Sequence, residues 1–326
     1  MNGETVLVTG AAGFIGSNLS RRLLDLGCRV VGLDNFDPFY DPEIKRRNAA
    51  ELETREGFRI VEGDIRNDSD LDAAFGAGSV DAVVHLAARA GVRPSILEPV
   101  LYGSVNLDGT FRLLEACRRH GVERFMFGSS SSVYGNNDKV PFAEDDPVDH
   151  PISPYAATKK AGEVICHSYH HLHGLRIACL RFFTVYGPGQ RPEMAIHKFT
   201  RRMFRGQEIE QFGDGASARD YTYISDIVEG VVRALERTRG YHVWNLGGAH
   251  TITLRELIAK IGEALGVEPK VRVLPMQPGD VRRTWADVRR AREELEWTPK
   301  VPLDDGLARF VRWFLERNEG SSAGAR

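Results

Sequence analysis

The sequence predicts an α/β protein: a doubly wound parallel sheet with helices on both faces, followed by a smaller C-terminal α/β domain. Three observations predict it. Short β-branched runs alternate with helical patterns through the first 180 residues. Glycines at regular spacing join the first run to the first helix, and an aspartate closes the second run. Strands separated by helices imply right-handed crossovers, and hence parallel pairing.

Thr5-Val6-Leu7-Val8-Thr9 reads as the first strand, ending at glycines. Phe14, Ile15, Leu19, Leu23, Leu24 and Leu26 recur at close to a helical period, so a helix follows it. Arg29 to Leu33, Phe58 to Val61 and Ala82 to Leu86 are the next strand candidates, with a weak helix over Leu71–Phe75. A long helix covers Val105 to Cys117, and Arg124 to Phe127 is the fifth strand. Tyr155 to Leu172 is helical and Leu175 to Leu180 is the sixth strand. Beyond about residue 190 the rhythm loosens, with helices expected at Ala195–Phe204, Asp226–Glu236, Leu254–Leu265 and Leu303–Leu315. The expected units are 1–180, a substrate domain over 181–318 interleaved with the first, and a flexible tail over 319–326.

Thr9-Gly10-Ala11-Ala12-Gly13-Phe14-Ile15-Gly16 places glycines as Gly-x-x-Gly-x-x-Gly between a strand and a helix. Gly10 permits a tight turn, Gly13 lets backbone N–H groups approach a pyrophosphate, and Gly16 lets the helix pack close. The helix N-terminus adds partial positive charge at that spot. Asp34 ends the second strand 18 residues past Gly16. That is close to the ~20 expected of the acid that binds an adenosine ribose. A carboxylate there accepts from a 2′-hydroxyl and repels a 2′-phosphate, so NAD rather than NADP is expected. The sheet is therefore of the Rossmann type. Phe14, Ile15, Asn35, Asp64, Ile65, Leu86, Ala87 and Ala88 complete the candidate cofactor set. Asp64 has an equal alternative as a strand-end turn residue, and Ala87 and Ala88 as packing residues. His85, at the end of the fourth strand, reads as a satisfied structural histidine.

Ser153-Pro154-Tyr155-Ala156-Ala157-Thr158-Lys159 carries the second signal. Ser153 can cap and Pro154 suits the first helical position. Tyr155 and Lys159 then stack one turn apart on one face. An ammonium beside a phenol favours the phenolate, lowering a pKa that is ordinarily ~10. Tyr155 thereby becomes a candidate general base. The run Gly128 to Gly135 contains Ser129, Ser130, Ser131 and Ser132 after the fifth strand, hydroxyls suited to a polyol.

Lys plus Arg number 43 and Asp plus Glu 45, a near balance that argues against a nucleic-acid binder. No apolar run reaches ~18 residues, so no membrane span is expected. The N-terminus lacks the features of a signal peptide. The cysteines Cys28, Cys117, Cys166 and Cys179 lack metal-type spacing and read as reduced thiols of a cytoplasmic protein. His170, His171 and His173 read as a solvated helix end, so no metal is expected.

The glycine loop, Asp34, the serine run before Val133-Tyr134-Gly135, and the Tyr155/Lys159 pair together resemble the extended short-chain dehydrogenase/reductases, within the NAD-dependent epimerase/dehydratase family. The resemblance spans residues 3 to about 318. Finer features resemble its UDP-glucuronate 4-epimerases. These are Leu33 to Pro42, Arg181 to Pro188, Arg191 to Ala195, Arg219 to Tyr223 and Gln277 to Val281. Related dehydratases carry an Asp-Glu pair where Ser131 and Ser132 stand, and decarboxylases a Glu at Ser132. The 4-epimerases of neutral UDP-hexoses usually carry Asn at Thr184.

The resemblance implies a tightly bound NAD and a UDP-sugar substrate. Tyr155, Lys159 and Ser130 would be catalytic. Ser131, Ser132, Thr184 and Arg191 would face the sugar carboxylate. Arg219 and the weaker candidate Arg282 would meet the diphosphate, and Asp280 the uridine ribose. Surface roles compete at Arg191, Arg219 and Arg282, and a turn role at Asp280. A homodimer through helices near 100–119 and 154–172 is also implied. The alternative readings are a UDP-hexose or UDP-N-acetylhexosamine 4-epimerase and, from another class, a non-catalytic NAD-binding scaffold or sensor.

Overall fold

The computed structural model describes residues 1–275 and 281–322. In chain order its elements are β1 (Thr5–Thr9), α1 (Phe14–Asp25), β2 (Arg29–Asp34), α2 (Pro42–Glu53), β3 (Phe58–Glu62), α3 (Asp68–Phe75) and β4 (Ala82–His85). Next come α4 (Val92–Leu97), α5 (Pro99–Gly103), a π-helical turn at Ser104–Asp108, α6 (Gly109–Arg119) and β5 (Arg124–Ser130). A 3₁₀ turn at Ser131–Tyr134 precedes α7 (Pro154–His173) and β6 (Arg176–Phe182). The remainder is β7 (Thr184–Tyr186), α8 (Ala195–Phe204), β8 (Ile209–Phe212), β9 (Ala218–Arg219), β10 (Tyr221–Tyr223), α9 (Ile224–Arg237) and β11 (Tyr241–Leu246), then β12 (Ile252–Thr253), α10 (Leu254–Leu265), β13 (Val271–Leu274), α11 (Arg289–Leu295) and α12 (Leu303–Ser322).

Seven parallel strands form one sheet in the order β11-β6-β5-β4-β1-β2-β3. Its central strands β1 and β4 are buried throughout because both faces are covered. Alternate residues go to opposite sides: Val6, Val8, Val84 and Leu180 join one core, while Leu7, Val83, Phe125 and Cys179 join the other. The chain winds outward from β1 through β2 and β3, then returns to β4 and winds the other way. The switch opens a crevice at the carboxyl ends of β1 and β4, where ligands of such sheets bind.

Several elements differ from the sequence reading. Helix α2 was not expected, although Asp41 accepts from Glu43 N at 3.1 Å as its N-cap and Pro42 opens it. The long helix expected from Val105 is interrupted at its start by the π turn. The division at 180 falls inside β6, and the later segment returns to the large sheet as β11, beside β6. Helix α12 runs to Ser322, so the backbone is helical where a tail was expected to begin. The rest of the second half is built on two-stranded sheets, β7 with β10, β9 with β12 and β8 with β13.

Candidate active site

Gly10 adopts a left-handed φ of 70°, and a Cβ there would come within 2.9 Å of Ala87 N. A Cβ on Gly16 would meet Gly10 O at 2.1 Å, so the helix can approach the loop only through glycine. No side chain caps α1. Its first-turn N–H groups are thus available to an anion.

Asp34 is buried, and its carboxylate accepts from Ala12 N at 3.1 Å and Phe36 N at 2.9 Å. Burial raises its pKa, opposed first by the Lys45 ammonium and then by those two N–H groups. Asp64 accepts from Arg66 Nε at 2.9 Å, Arg66 Nη2 at 2.7 Å and Asn35 Nδ2 at 3.0 Å, and the Arg66 contacts hold its pKa down at about 2.

His85 is buried between two hydroxyls, Nδ1 to Thr9 Oγ1 at 2.8 Å and Nε2 to Thr110 Oγ1 at 3.0 Å. Thr110 donates its own proton to Asn106 O at 2.7 Å, so His85 Nε2 donates and Nδ1 accepts. Thr9 Oγ1 in turn accepts from Ala87 N at 3.1 Å. This chain of bonds fixes the Leu86–Ala88 segment on the floor of the crevice. The π turn buries Asn106, whose side chain holds the Arg89 backbone at both ends (2.8 and 3.0 Å) and donates to Thr158 Oγ1 at 3.0 Å.

Ser153 caps α7 by accepting from Ala156 N at 3.1 Å, with Pro154 in the first turn. Tyr155 and Lys159 are on its inward side, and the ammonium has a partner on the sheet. Lys159 Nζ donates to Gly128 O at 2.7 Å and lies over the Phe127 ring at 5.0 Å. Burial pulls its pKa down to about 8. Burial also raises the Tyr155 phenol; the opposing influences are a hydrogen bond with Ser130 and the charge of Arg191. Ser130 Oγ lies 3.1 Å from Ser132 Oγ and accepts from Ser132 N at 3.1 Å.

One turn beyond Lys159, Glu163 forms a buried pair with Arg181, Nη2 to Oε2 at 2.8 Å and Nε to Oε1 at 2.9 Å. Ser129, next to Ser130, donates to the same carboxylate at 2.6 Å.

A cavity of about 470 Å³ collects these groups. It is lined by Gly10, Gly13, Phe14, Ile15, Gly16, Asp34, Asn35, Asp64, Ile65, Leu86, Ala87 and Ala88. It is also lined by Ser130, Ser131, Ser132, Tyr155, Lys159, Thr184 and Arg191. The carboxylates among its described lining residues are Asp34, which ends β2, and Asp37 and Asp64, which follow β2 and β3, and none comes from the serine, Tyr155 or Arg191 segments. A second cavity of about 220 Å³ holds Arg93, Lys198, Phe199, Phe212, Arg219 and Tyr221. Thr184, in the lining of the first, pairs with Tyr221, in the lining of the second. Arg219 lines the second cavity and Tyr155 the first. Arg282 is exposed and lines neither cavity: its segment follows the sheet edge, with its carbonyl accepting from Ala218 N at 2.9 Å. Asp280, with Gln277, lies outside the described residues.

Phe39 and Tyr40, within the Leu33 to Pro42 stretch of the resemblance, also line the first cavity, as do Lys45 and Arg89, which sequence reasoning missed. It also missed Asn106 and Glu163. No local spacing marks them, since each is brought in by a tertiary contact. The glycine turn, the uncapped helix start and the buried Asp34 together fit a dinucleotide.

The model of the NAD dependent epimerase/dehydratase family matches residues 6–247. The chain is 42% identical over 314 residues to a UDP-glucuronate 4-epimerase of Thermodesulfobacterium geofontis, with 96% of this chain and 97% of that one covered. The crystal structure of UDP-glucuronic acid 4-epimerase from Bacillus cereus, in complex with UDP-glucuronic acid and NAD, superimposes with a TM-score of 0.90 at 38% identity, covering 96% of this chain and 99% of that one. UDP-glucose 4-epimerase from Thermotoga maritima, with UDP-glucose, gives 0.88 at 34% identity, with 96% and 99% covered. The chain belongs to the NAD dependent epimerase/dehydratase family.

Proposed function

We propose that the protein epimerises UDP-glucuronate at C4, giving UDP-galacturonate through a 4-keto sugar. The observation that carries this reading is the wall around Tyr155. It offers hydroxyls and a guanidinium from Ser130, Ser131, Ser132, Thr184 and Arg191 and none of the carboxylates that line the cavity; Glu193, which pairs with Arg191 Nε at 3.0 Å, lines the second cavity. Eliminating water would need an acid at the leaving hydroxyl. An anionic sugar is instead received without repulsion, and a guanidinium can meet a carboxylate through two parallel hydrogen bonds.

NAD bound along the glycine loop and Asp34 supplies a hydride acceptor that returns the hydride, so the reaction needs no other redox partner. Lys159 would hold its nicotinamide ribose. Tyr155 Oη takes the proton of the sugar 4-hydroxyl, with Ser130 Oγ sharing that hydrogen-bonded network. The 4-keto sugar then presents its other face while its nucleotide end stays anchored, and Tyr155 gives the proton back. Arg219, in the second cavity, is our candidate for the diphosphate. The intermediate is a β-keto acid, so Ser131, Ser132, Thr184 and Arg191 must also hold the carboxylate away from the geometry that releases CO₂.

The exposed side chains of Leu97, Val100, Phe111, Val164 and Leu172, on α4 to α7, support a homodimer through that face. The four buried free cysteines support a cytoplasmic setting. Among the described residues no helix is long and apolar enough to cross a membrane.

NMR of UDP-glucuronate incubated with the purified protein, without added NAD, tests the reading. UDP-galacturonate is expected. A UDP-pentose would make the enzyme a decarboxylase, and no change would return the choice to a neutral UDP-hexose epimerase or a non-catalytic NAD-binding protein.

A further inference from the structure

Two guanidiniums lie over one ring. Arg89 Cζ is 5.0 Å from the centroid of Phe39, and Arg191 Cζ is 5.7 Å from it. Phe39 belongs to the loop that follows Asp34, and this loop is tightly folded. Phe36 takes a left-handed φ of 51°, with its N–H bound to the Asp34 carboxylate at 2.9 Å. Asp37 Oδ1 accepts from Phe39 N at 2.9 Å and from Arg89 Nη1 at 2.6 Å. Arg89 Nη2 reaches Glu98 at 2.9 Å. The ring is thus pinned by its own backbone and by an arginine whose charge two carboxylates offset.

Arg191 differs. Its Nε pairs with Glu193 at 3.0 Å, and both side chains are partly solvated. Its backbone is fixed by Gln190, which is buried and donates to Val185 O at 3.1 Å. Its side chain therefore enters the cavity from a firm base, with the Phe39 face as the broad surface that orients it. Its charge is felt by the phenols of Tyr155, Tyr40 and Tyr102. A cation over a ring face is held electrostatically, more strongly where water is excluded.

We infer that Phe39 is a specificity-determining positioning residue, whose ring aims the Arg191 guanidinium at the carboxylate of the sugar. This inference rests on the UDP-glucuronate reading above. A β-keto acid loses CO₂ when the breaking bond aligns with the carbonyl π system, so an arginine held in one orientation protects the intermediate and one free to swing does not.

The test compares the wild-type holoenzyme with Phe39→Leu and Phe39→Tyr, reading KM for UDP-glucuronate, bound NAD, and the ratio of UDP-galacturonate to UDP-pentose (or its 4-ketone) by NMR. Leucine keeps apolar bulk and removes the ring face. We expect F39L to raise KM roughly five- to ten-fold and to increase the pentose share, and F39Y to behave as wild type. An F39L enzyme with unchanged KM and product ratio overturns the inference. So does loss of NAD at an unchanged product ratio, which would assign Phe39 to the cofactor alone. Failure of the underlying reading shows separately, as wild-type enzyme that leaves UDP-glucuronate untouched, and takes this inference with it.

Discussion

On the sheet side of the large cavity, Glu163 and Arg181 are each 3% exposed and share a bidentate pair with Ser129 as a third member. Across the cavity Arg191 is 22% exposed and its partner Glu193 41%. One ion pair is a fixture of the core. The other is a partly solvated contact whose arginine also lies over the Phe39 ring. The floor, made by the carboxyl ends of β1, β4 and β5 with α7, holds Thr9, His85, Ser129, Lys159 and Glu163 in buried hydrogen bonds. The facing wall relies on aromatic faces and short strands. Proton transfer needs distances fixed to a fraction of an ångström. Recognising a carboxylate falls, on the proposed reading, to an arginine 22% exposed that lies over the Phe39 ring. On the proposed function, chemistry falls to the buried side and substrate choice to the partly solvated one.

The contrast breaks first at Tyr155. Removing its oxygen in Tyr155→Phe should lower kcat by about 10³–10⁴, with circular dichroism and NAD content unchanged. A variant with near-normal turnover would deny the floor its chemical role. Next in size is Glu163→Gln, which strands the Arg181 charge in the core. Breaking a buried pair costs about 3–5 kcal/mol. For a chain of this size that lowers Tm by about 5–10 °C, measured by calorimetry. Arg191→Ala should separate the two sides cleanly. A partly exposed pair contributes little to stability, so Tm should move by no more than about 2 °C. KM for UDP-glucuronate should rise about ten-fold, the value of one lost charge-assisted contact, and a pentose product should appear. Unchanged kinetics on UDP-glucuronate would remove Arg191 from this role.

The same division governs what could be read from the sequence. The glycine loop was legible because a turn, a close approach and a helix start are local demands, and Gly10, Gly13 and Gly16 answer them within seven residues. The Ser153 cap and the one-turn spacing of Tyr155 and Lys159 are local in the same sense. The destination of the Lys159 ammonium is not. Its partner is Gly128 O on β5, 31 residues earlier, which helix spacing alone does not reveal. Glu163 and Arg181 meet across a helix and a strand, and Phe39 meets Arg191 across half the chain. Neither leaves a periodic trace. Asp41-Pro42 does carry the start of α2, a cap followed by proline.

His85 offers the finest test of the buried side, since its expected role was structural and its two hydroxyl partners fit that role. Burial and the nearby Lys159 charge hold its pKa down at about 3, against 6.5 in an unfolded chain. Below pH 6.5 the unfolded chain gains a proton that the native imidazole refuses until about pH 3. Unfolding therefore takes up a proton across that window, and stability falls as pH drops through it. In His85→Gln this contribution is absent. The variant is less stable at pH 7, because Gln cannot bridge Thr9 and Thr110 equally well. Its urea-derived stability should nevertheless decline less steeply between pH 6 and pH 4. The difference in slope should approach one proton, about 1.4 kcal/mol per pH unit. Parallel slopes would mean that His85 titrates in the native state as it does in water, and that the network from Asn106 to Ala87 is looser than its hydrogen bonds indicate.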